Sequence, residues 1–212
     1  MGSEEPVRLR TIPLRSSMAT PLDIIKKELE HFATMDESQQ ERGRRMLNIT
    51  RDTGELLSVL VRSMKAQRIL EIGTSNGYST LWLAEAAQAT GGHVTTVEFS
   101  QFKVGLARAN FERAGLHDLI SQVAGDAGRV LAEGGDAAWD FLFLDSDRSQ
   151  YLDWWKDLKR ALRPGGLLVV DNATSHPHEM EQFTEAVRTD GEFTTSLVPV
   201  GKGEFLAVKA GG

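Results

Sequence analysis

Two apolar runs in this sequence end on acids. "FLFLD" stops at Asp145, and "LLVVDN" stops at Asp171 and Asn172. Such runs belong to strands buried on both faces, and neighbouring strands lie about 4.8 Å apart. If these two strands are adjacent, Asp145, Asp171 and Asn172 converge at one edge of a sheet. Three oxygen ligands, two of them anionic, suit a hard divalent cation such as Mg²⁺, with Mn²⁺ or Ca²⁺ as other candidates. Uncompensated, the two acids would repel one another. The plainer alternative is that each acid caps the next helix or meets solvent. A fixed cation, Arg148, follows the first acid in "DSDRSQY".

Other strand ends carry groups suited to a nucleoside with an amino-acid tail. "EIGTSNGYST" runs from Glu71 to Thr80, and Gly73 and Gly77 allow a tight turn and close approach to a ligand. The next helix then presents free N–H groups. The spacing is not GxGxxG, so a dinucleotide is a poor fit and a nicotinamide dehydrogenase is disfavoured. Glu71 could meet an ammonium group. Glu98, in "TTVEFS", lies where an acid commonly binds ribose hydroxyls. Asp126, in "AGDAGRV", could accept from an adenine amino group or cap the following helix.

These residues need a scaffold that brings strand ends together. From Arg68 onward strands and helices alternate: "RILEI", "HVTTVEF", "LISQVA", "DFLFLD" and "GGLLVVDN" read as strands with helices between them. "FTTSLVPV" and "EFLAVKA" form a closing hairpin around Gly-Lys-Gly. The pattern predicts an α/β fold: a seven-stranded, mostly parallel sheet with a C-terminal antiparallel hairpin and helices on both faces. Ligands then bind beyond the carboxyl ends of the strands. Upstream, "TPLDIIKKELEHF" predicts a helix capped by Thr20, and "ESQQERGRRML" a polar helical connection. In "TRDTGELLSVLVRSM", Leu56, Leu57, Leu60 and Val61 share one face expected to pack on the sheet. Residues 1–19 are expected to be loosely ordered. Residues 20–212 form one domain, with N-terminal helices over 20–66 and the strand-rich core over 67–212.

The chain has 212 residues, enough for one full core. Net charge of −6 offers no basic field for nucleic acid or anionic membrane. The absence of cysteine excludes disulfides, thiolate metal sites and cysteine nucleophiles, and suits a cytoplasmic setting. No apolar run approaches the roughly 20 residues of a membrane helix, and the first residues lack a secretory hydrophobic segment.

"RILEIGTSNGYSTLWLA", "VTTVEFS", "DFLFLDSDRSQYLDWW", "LRPGGLLVVDN" and "LVPVGKGEFLAVK" resemble the cation-dependent O-methyltransferases, which include the catechol and caffeoyl-CoA enzymes. The likeness runs from about Met46 to Lys209. It implies a Rossmann-like class I methyltransferase fold, S-adenosylmethionine as donor and a small vicinal dihydroxy aromatic as acceptor. On the matching positions it implies that Glu71, Gly73, Gly77 and Ser79 form the cofactor loop and that Glu98 binds ribose. Asp126 and Ala127 match the adenine side, and Asn48 and Ile49 the segment closing over the cofactor. Asp145, Asp171 and Asn172 match the metal triad, with Asp145 also bordering the cofactor, and Tyr151 matches an aromatic at the foot of the site. Family members often dimerise, so a homodimer is expected.

One departure matters. The family usually has Lys, assigned as the base, where this chain has Arg148. A guanidinium stays protonated and cannot take the substrate proton. Arg148 is therefore expected to stabilise an oxyanion, while the proton leaves to solvent or to His176 or His178 in "SHPH". Both histidines could equally be ordinary loop residues. A metal-independent methyltransferase and a non-catalytic S-adenosylmethionine-binding protein are the competing readings.

Overall fold

The computed structural model describes residues 19–35 and 46–211. The expectation of a loose start falls, apart from residue 19, outside the described residues, as does the helix expected over residues 37–45. Met46 to Thr50, by contrast, are described and are not helical.

Among the described residues seven strands and seven α-helices are present, with strands and helices alternating from Arg68 onward as the sequence predicts. They are α1 (Pro21–Met35), α2 (Arg51–Met64), β1 (Arg68–Ile72), α3 (Tyr78–Thr90), β2 (His93–Glu98), α4 (Gln101–Ala114) and β3 (Ile120–Ala124). There follow α5 (Ala127–Glu133), β4 (Trp139–Leu144), α6 (Tyr151–Ala161), β5 (Leu162–Val170), α7 (Pro177–Thr189), β6 (Phe193–Val198) and β7 (Glu204–Lys209). Strand order is β3-β2-β1-β4-β5-β7-β6. The first five strands are parallel, and β7 runs antiparallel to both β5 and β6. Among the described residues no helix is long and apolar enough to cross a membrane.

Both faces of the sheet are covered, which is why its strands read as continuous apolar runs. Ile69, Phe141, Phe143, Leu167 and Val169 face a layer built from α1 to α4, with Leu57, Leu81 and Phe111 in the same core. Leu70, Leu142, Leu144, Leu168 and Val170 face the other way, onto Leu131, Leu158, Met180 and Phe183 of α5 to α7. On α2, Leu57 and Val61 are fully buried and Leu56 and Leu60 only partly. The helix packs mainly along α3, so the sheet contact expected of it is made largely through that neighbour.

Helix starts follow side-chain chemistry. Thr20 and Asp23 cap each other's backbone N–H groups at α1, and Thr50, Ser100 and Asp126 cap α2, α4 and α5. At the opposite edge from the strand ends just discussed, Asp140 ties three segments together. Its Oδ2 accepts from the Gln67 and Arg68 N–H groups, both at 2.9 Å. Its Oδ1 accepts from Arg68 Nη2 at 2.8 Å and Arg163 Nε at 2.9 Å.

Burial alone would raise the Asp140 pKa, but the Arg68 guanidinium and the two N–H groups outweigh it and hold the carboxyl at about 2. Its folded pKa therefore lies below the unfolded value of 3.8. The stabilisation is present above pH 4 and is lost as pH falls toward about 2. Asp140→Asn is expected to lower the unfolding free energy by about 2 kcal/mol at pH 7. Urea titrations should show that gap closing between about pH 4 and pH 2; a gap that persists at the acid end contradicts the account.

Candidate active site

Strand registers set the site. Ile72, Leu144, Val170 and Phe205 lie side by side across the sheet. One step nearer the edge come Gly73, Asp145, Asp171 and Glu204. Asp145 N–H donates to Ile72 O and Asp171 N–H to Leu144 O, both at 3.0 Å, so the ladders continue to the acids. Because faces alternate along a strand, these side chains point toward the α1–α4 layer. Gly73 has φ 107°, and a Cβ there would lie 2.0 Å from Asp145 O. Only glycine lets β1 and β4 end this close together.

Asp145, Asp171 and Asn172 do converge. Asn172 Nδ2 donates to Asp145 Oδ1 at 3.2 Å and to Asp171 Oδ2 at 2.9 Å, and Asn172 N–H donates to Asp171 Oδ1 at 2.7 Å. Asn172 has φ 69°, a left-handed conformation that Asn tolerates better than most residues. Burial and then the charge of Asp171 raise the Asp145 pKa; burial likewise raises that of Asp171. The amide thus stands between two crowded acids, as a positive group would. Holding a cation there requires Asn172 to present Oδ1, now 3.1 Å from Ser175 Oγ, in place of Nδ2. Among the described residues no cluster of three or more His, Cys, Asp or Glu is arranged for a metal. The donor set is two acids and an amide, and its chemistry fits a hard cation.

A further acid extends the row. Glu204 is fully buried, and its Oε1 accepts from Thr53 Oγ1 at 2.9 Å. Its carboxyl also meets that of Asp171, a contact that needs one of the two acids to hold a proton. Burial and the neighbouring Asp171 raise its pKa. The sequence reading missed it because "GKGEF" looks like an ordinary turn and strand start.

Glu71 is placed differently from the expectation. Its carboxyl accepts from Ser79 Oγ at 2.5 Å, from Thr96 Oγ1 at 2.6 Å and from Thr80 Oγ1, and it is fully buried. These hydroxyls fill the positions an ammonium group would need. Ser79 is engaged by Glu71, and Gly77 abuts the Phe111 ring. Asn48 donates to Leu29 O at 3.0 Å while its Oδ1 is buried without a partner, and Ile49 lies in the core. None of these five lines the cavity; Met46 and Leu47 do so in place of Asn48 and Ile49.

A cavity of about 860 Å³ runs along the carboxyl edge of the sheet, from β3 to the β6–β7 turn. Toward β2 and β3 its wall includes Glu98, Phe99, Asp126, Ala127 and Trp154. Glu98 accepts from Ser75 N–H and Ser100 N–H, both at 2.9 Å, so its carboxylate is fixed with lone pairs to spare. Asp126 caps α5 through Arg129 N–H at 2.8 Å, as one of its two readings has it, and also lines the wall. Toward β4 and β5 the wall holds Asp145, Arg148, Asn172 and His176, while Asp171 sits behind it. Arg148 Nε donates to Glu179 Oε2 at 2.7 Å. His176 Nδ1 is 2.9 Å from Ser175 Oγ. His178 is exposed on the first turn of α7 and does not line the cavity. Tyr151 is buried below, its OH accepting from Ser146 N–H at 2.7 Å. Trp155 packs on Phe183 and Phe193, and neither tryptophan of α6 is fully exposed. Lys202, at the centre of the Gly-Lys-Gly turn, completes the wall.

The O-methyltransferase family pattern matches residues 22–210. The chain belongs to the O-methyltransferase family. It is 31% identical over 153 residues to a catechol O-methyltransferase of Niastella koreensis, covering 71% of this chain and 69% of that one. With a catechol O-methyltransferase of Mycobacterium tuberculosis it shares 35% identity over 124 residues, 58% of this chain and 56% of the other. Among solved structures, an O-methyltransferase from Bacillus cereus in complex with SAH superposes with a TM-score of 0.74 at 26% identity, covering 88% of this chain and 91% of that one. One from Streptomyces achromogenes, involved in tomaymycin synthesis and in complex with SAM, gives 0.74 at 26% identity, with 93% of each chain covered. The protein is thus an O-methyltransferase with the Rossmann-like architecture expected.

Burial raises the Glu71 pKa to about 7, against the pull of its three hydroxyl partners. The folded value exceeds the unfolded 4.5, so the stabilising contribution is complete below pH 4.5 and is lost as pH rises through about 7. Relative to Glu71→Gln, the wild type is expected to lose about 2 to 3 kcal/mol of unfolding free energy between pH 5 and pH 8. Paired urea titrations at the two pH values check this; parallel behaviour of the two proteins contradicts it.

Proposed function

We propose that the protein transfers the methyl group of S-adenosylmethionine to one hydroxyl of a small vicinal dihydroxy aromatic, with a divalent cation held by Asp145, Asp171 and Asn172. The observation that carries this reading is the meeting of those three side chains beside a cavity that also contains Glu98. The named catechol O-methyltransferases among the relatives, and the SAM and SAH complexes among the structural neighbours, support it.

The roles follow from position. Glu98 accepts the ribose hydroxyls, and Asp126 and Ala127 border the adenine. The narrow passage at Gly73 brings the donor against Asp145. When bound, a divalent cation lowers the pKa of a phenolic hydroxyl and orients two vicinal oxygens. Arg148, with its side chain only 15% exposed, keeps its charge and favours an acceptor oxyanion. His176 lines the cavity and is the histidine placed to receive the phenolic proton; His178 is too exposed for that task. A sulfonium and an oxyanion lose charge as they react, so a site closed to water favours the step. A homodimer and a cytoplasmic setting fit the same reading.

Transfer of labelled methyl groups to a catechol panel, with and without chelator, is the test. Activity is expected, and chelator or Asp171→Ala should reduce it by about two orders of magnitude or more. Transfer that ignores chelator identifies a metal-independent methyltransferase instead. Glu98→Gln is expected to weaken S-adenosylmethionine binding about tenfold in calorimetry; unchanged affinity removes Glu98 from the ribose site.

A further inference from the structure

Lys202 has no part in the chemistry above. We propose that it selects the methyl acceptor, favouring a vicinal diol whose ring also carries an anionic group such as a carboxylate. The inference rests on the methyl-acceptor reading and narrows its substrate class.

The backbone around Lys202 is held from two sides. Gly201 has φ 57°, and a Cβ there would lie 2.2 Å from Thr53 Oγ1. Gly201 N–H donates to Asp52 Oδ2 at 3.3 Å. From the other side, Lys202 O accepts from Thr174 N–H at 3.1 Å, Ser175 N–H at 3.2 Å and Thr174 Oγ1 at 2.6 Å. The turn is therefore fixed between the start of α2 and the loop after β5. Its one long side chain lines the cavity.

Direct pairing leaves this ammonium over, whereas Arg148 is paired with Glu179. Asp147, also on the wall, directs its carboxylate at Ser149 N–H and Oγ. Lys202 Nζ makes no hydrogen bond or ion pair among the described residues. It lies two residues before Glu204, in the row of acids, so it stands at the acceptor end. Around it the wall carries Asp145 to Arg148, Asn172 and His176, all of them polar. A half-buried, unmatched ammonium in polar surroundings is suited to an anion.

Calorimetry on protein saturated with SAH and Mg²⁺ tests this, using 3,4-dihydroxybenzoate and the neutral 4-methylcatechol as probes. The wild type is expected to bind the benzoate about tenfold more tightly, the scale of one charge-assisted contact. Lys202→Met should abolish that preference and Lys202→Arg should retain it. A wild type that favours the neutral diol, or a preference that survives Lys202→Met, overturns the inference. Turnover of 4-methylcatechol by the wild type is read in parallel samples that contain S-adenosylmethionine in place of SAH. Its absence sinks the catechol reading, while the affinity ratio still decides the role of Lys202; binding of neither probe overturns both.

Discussion

Electrostatic crowding at one corner of the sheet is the constraint on which this structure depends. β4, β5 and β7 are neighbours, in regular register from Phe141 to Leu144, so Asp145, Asp171 and Glu204 end up side by side in a poorly solvated space. Carboxyls in that position favour their neutral forms unless positive or donor groups approach. The surroundings supply such groups from several elements: the Asn172 amide, the Thr53 hydroxyl at the start of α2, Arg148 after β4 and Lys202 from the hairpin. The positions of α2, the post-β5 loop and the hairpin turn are thus tied to the demands of three acids.

The sheet divides the site into two halves. Strand order reverses between β1 and β4, where open α/β sheets bind ligands. On the β1–β3 side lie fixed acceptors, chiefly Glu98 and Asp126. On the β4–β7 side lie acids, an amide and cations. Gly73 sits at the boundary, and its missing side chain lets the halves share one cavity. Tyr151 and Phe183 pack beneath the acid-bearing half, ring centroids 5.6 Å apart, and give it a firm floor.

Much of this was legible in the residue pattern. Uninterrupted apolar strands announced a sheet covered twice, and the residues after "FLFL" and "LLVV" announced the convergence of Asp145, Asp171 and Asn172. Glu98 was legible because it follows its strand within reach of the glycine loop. Glu71 was misjudged for a physical reason: it is the fourth residue of β1, and alternation turns it into the α1–α4 layer, where three hydroxyls receive it. Those partners come from α3 and β2, and no local spacing reveals them. Glu204 and Lys202 were missed because their importance comes from β7 running antiparallel to β5, which returns the hairpin turn to the carboxyl edge. The Gly-Lys-Gly signal was visible; its location was a property of topology.

The hairpin turn has a consequence for how this enzyme can diverge. Its main chain is clamped by Thr174, Ser175 and Asp52, so a residue cannot be inserted or removed there without disturbing the acids next door. The side chain at position 202 is under no such restriction, because the bonds that secure the turn are made by backbone atoms of residues 200 to 203. Descendants of this sequence can therefore exchange the tip while keeping the arm, and alter the cavity wall by single-codon change.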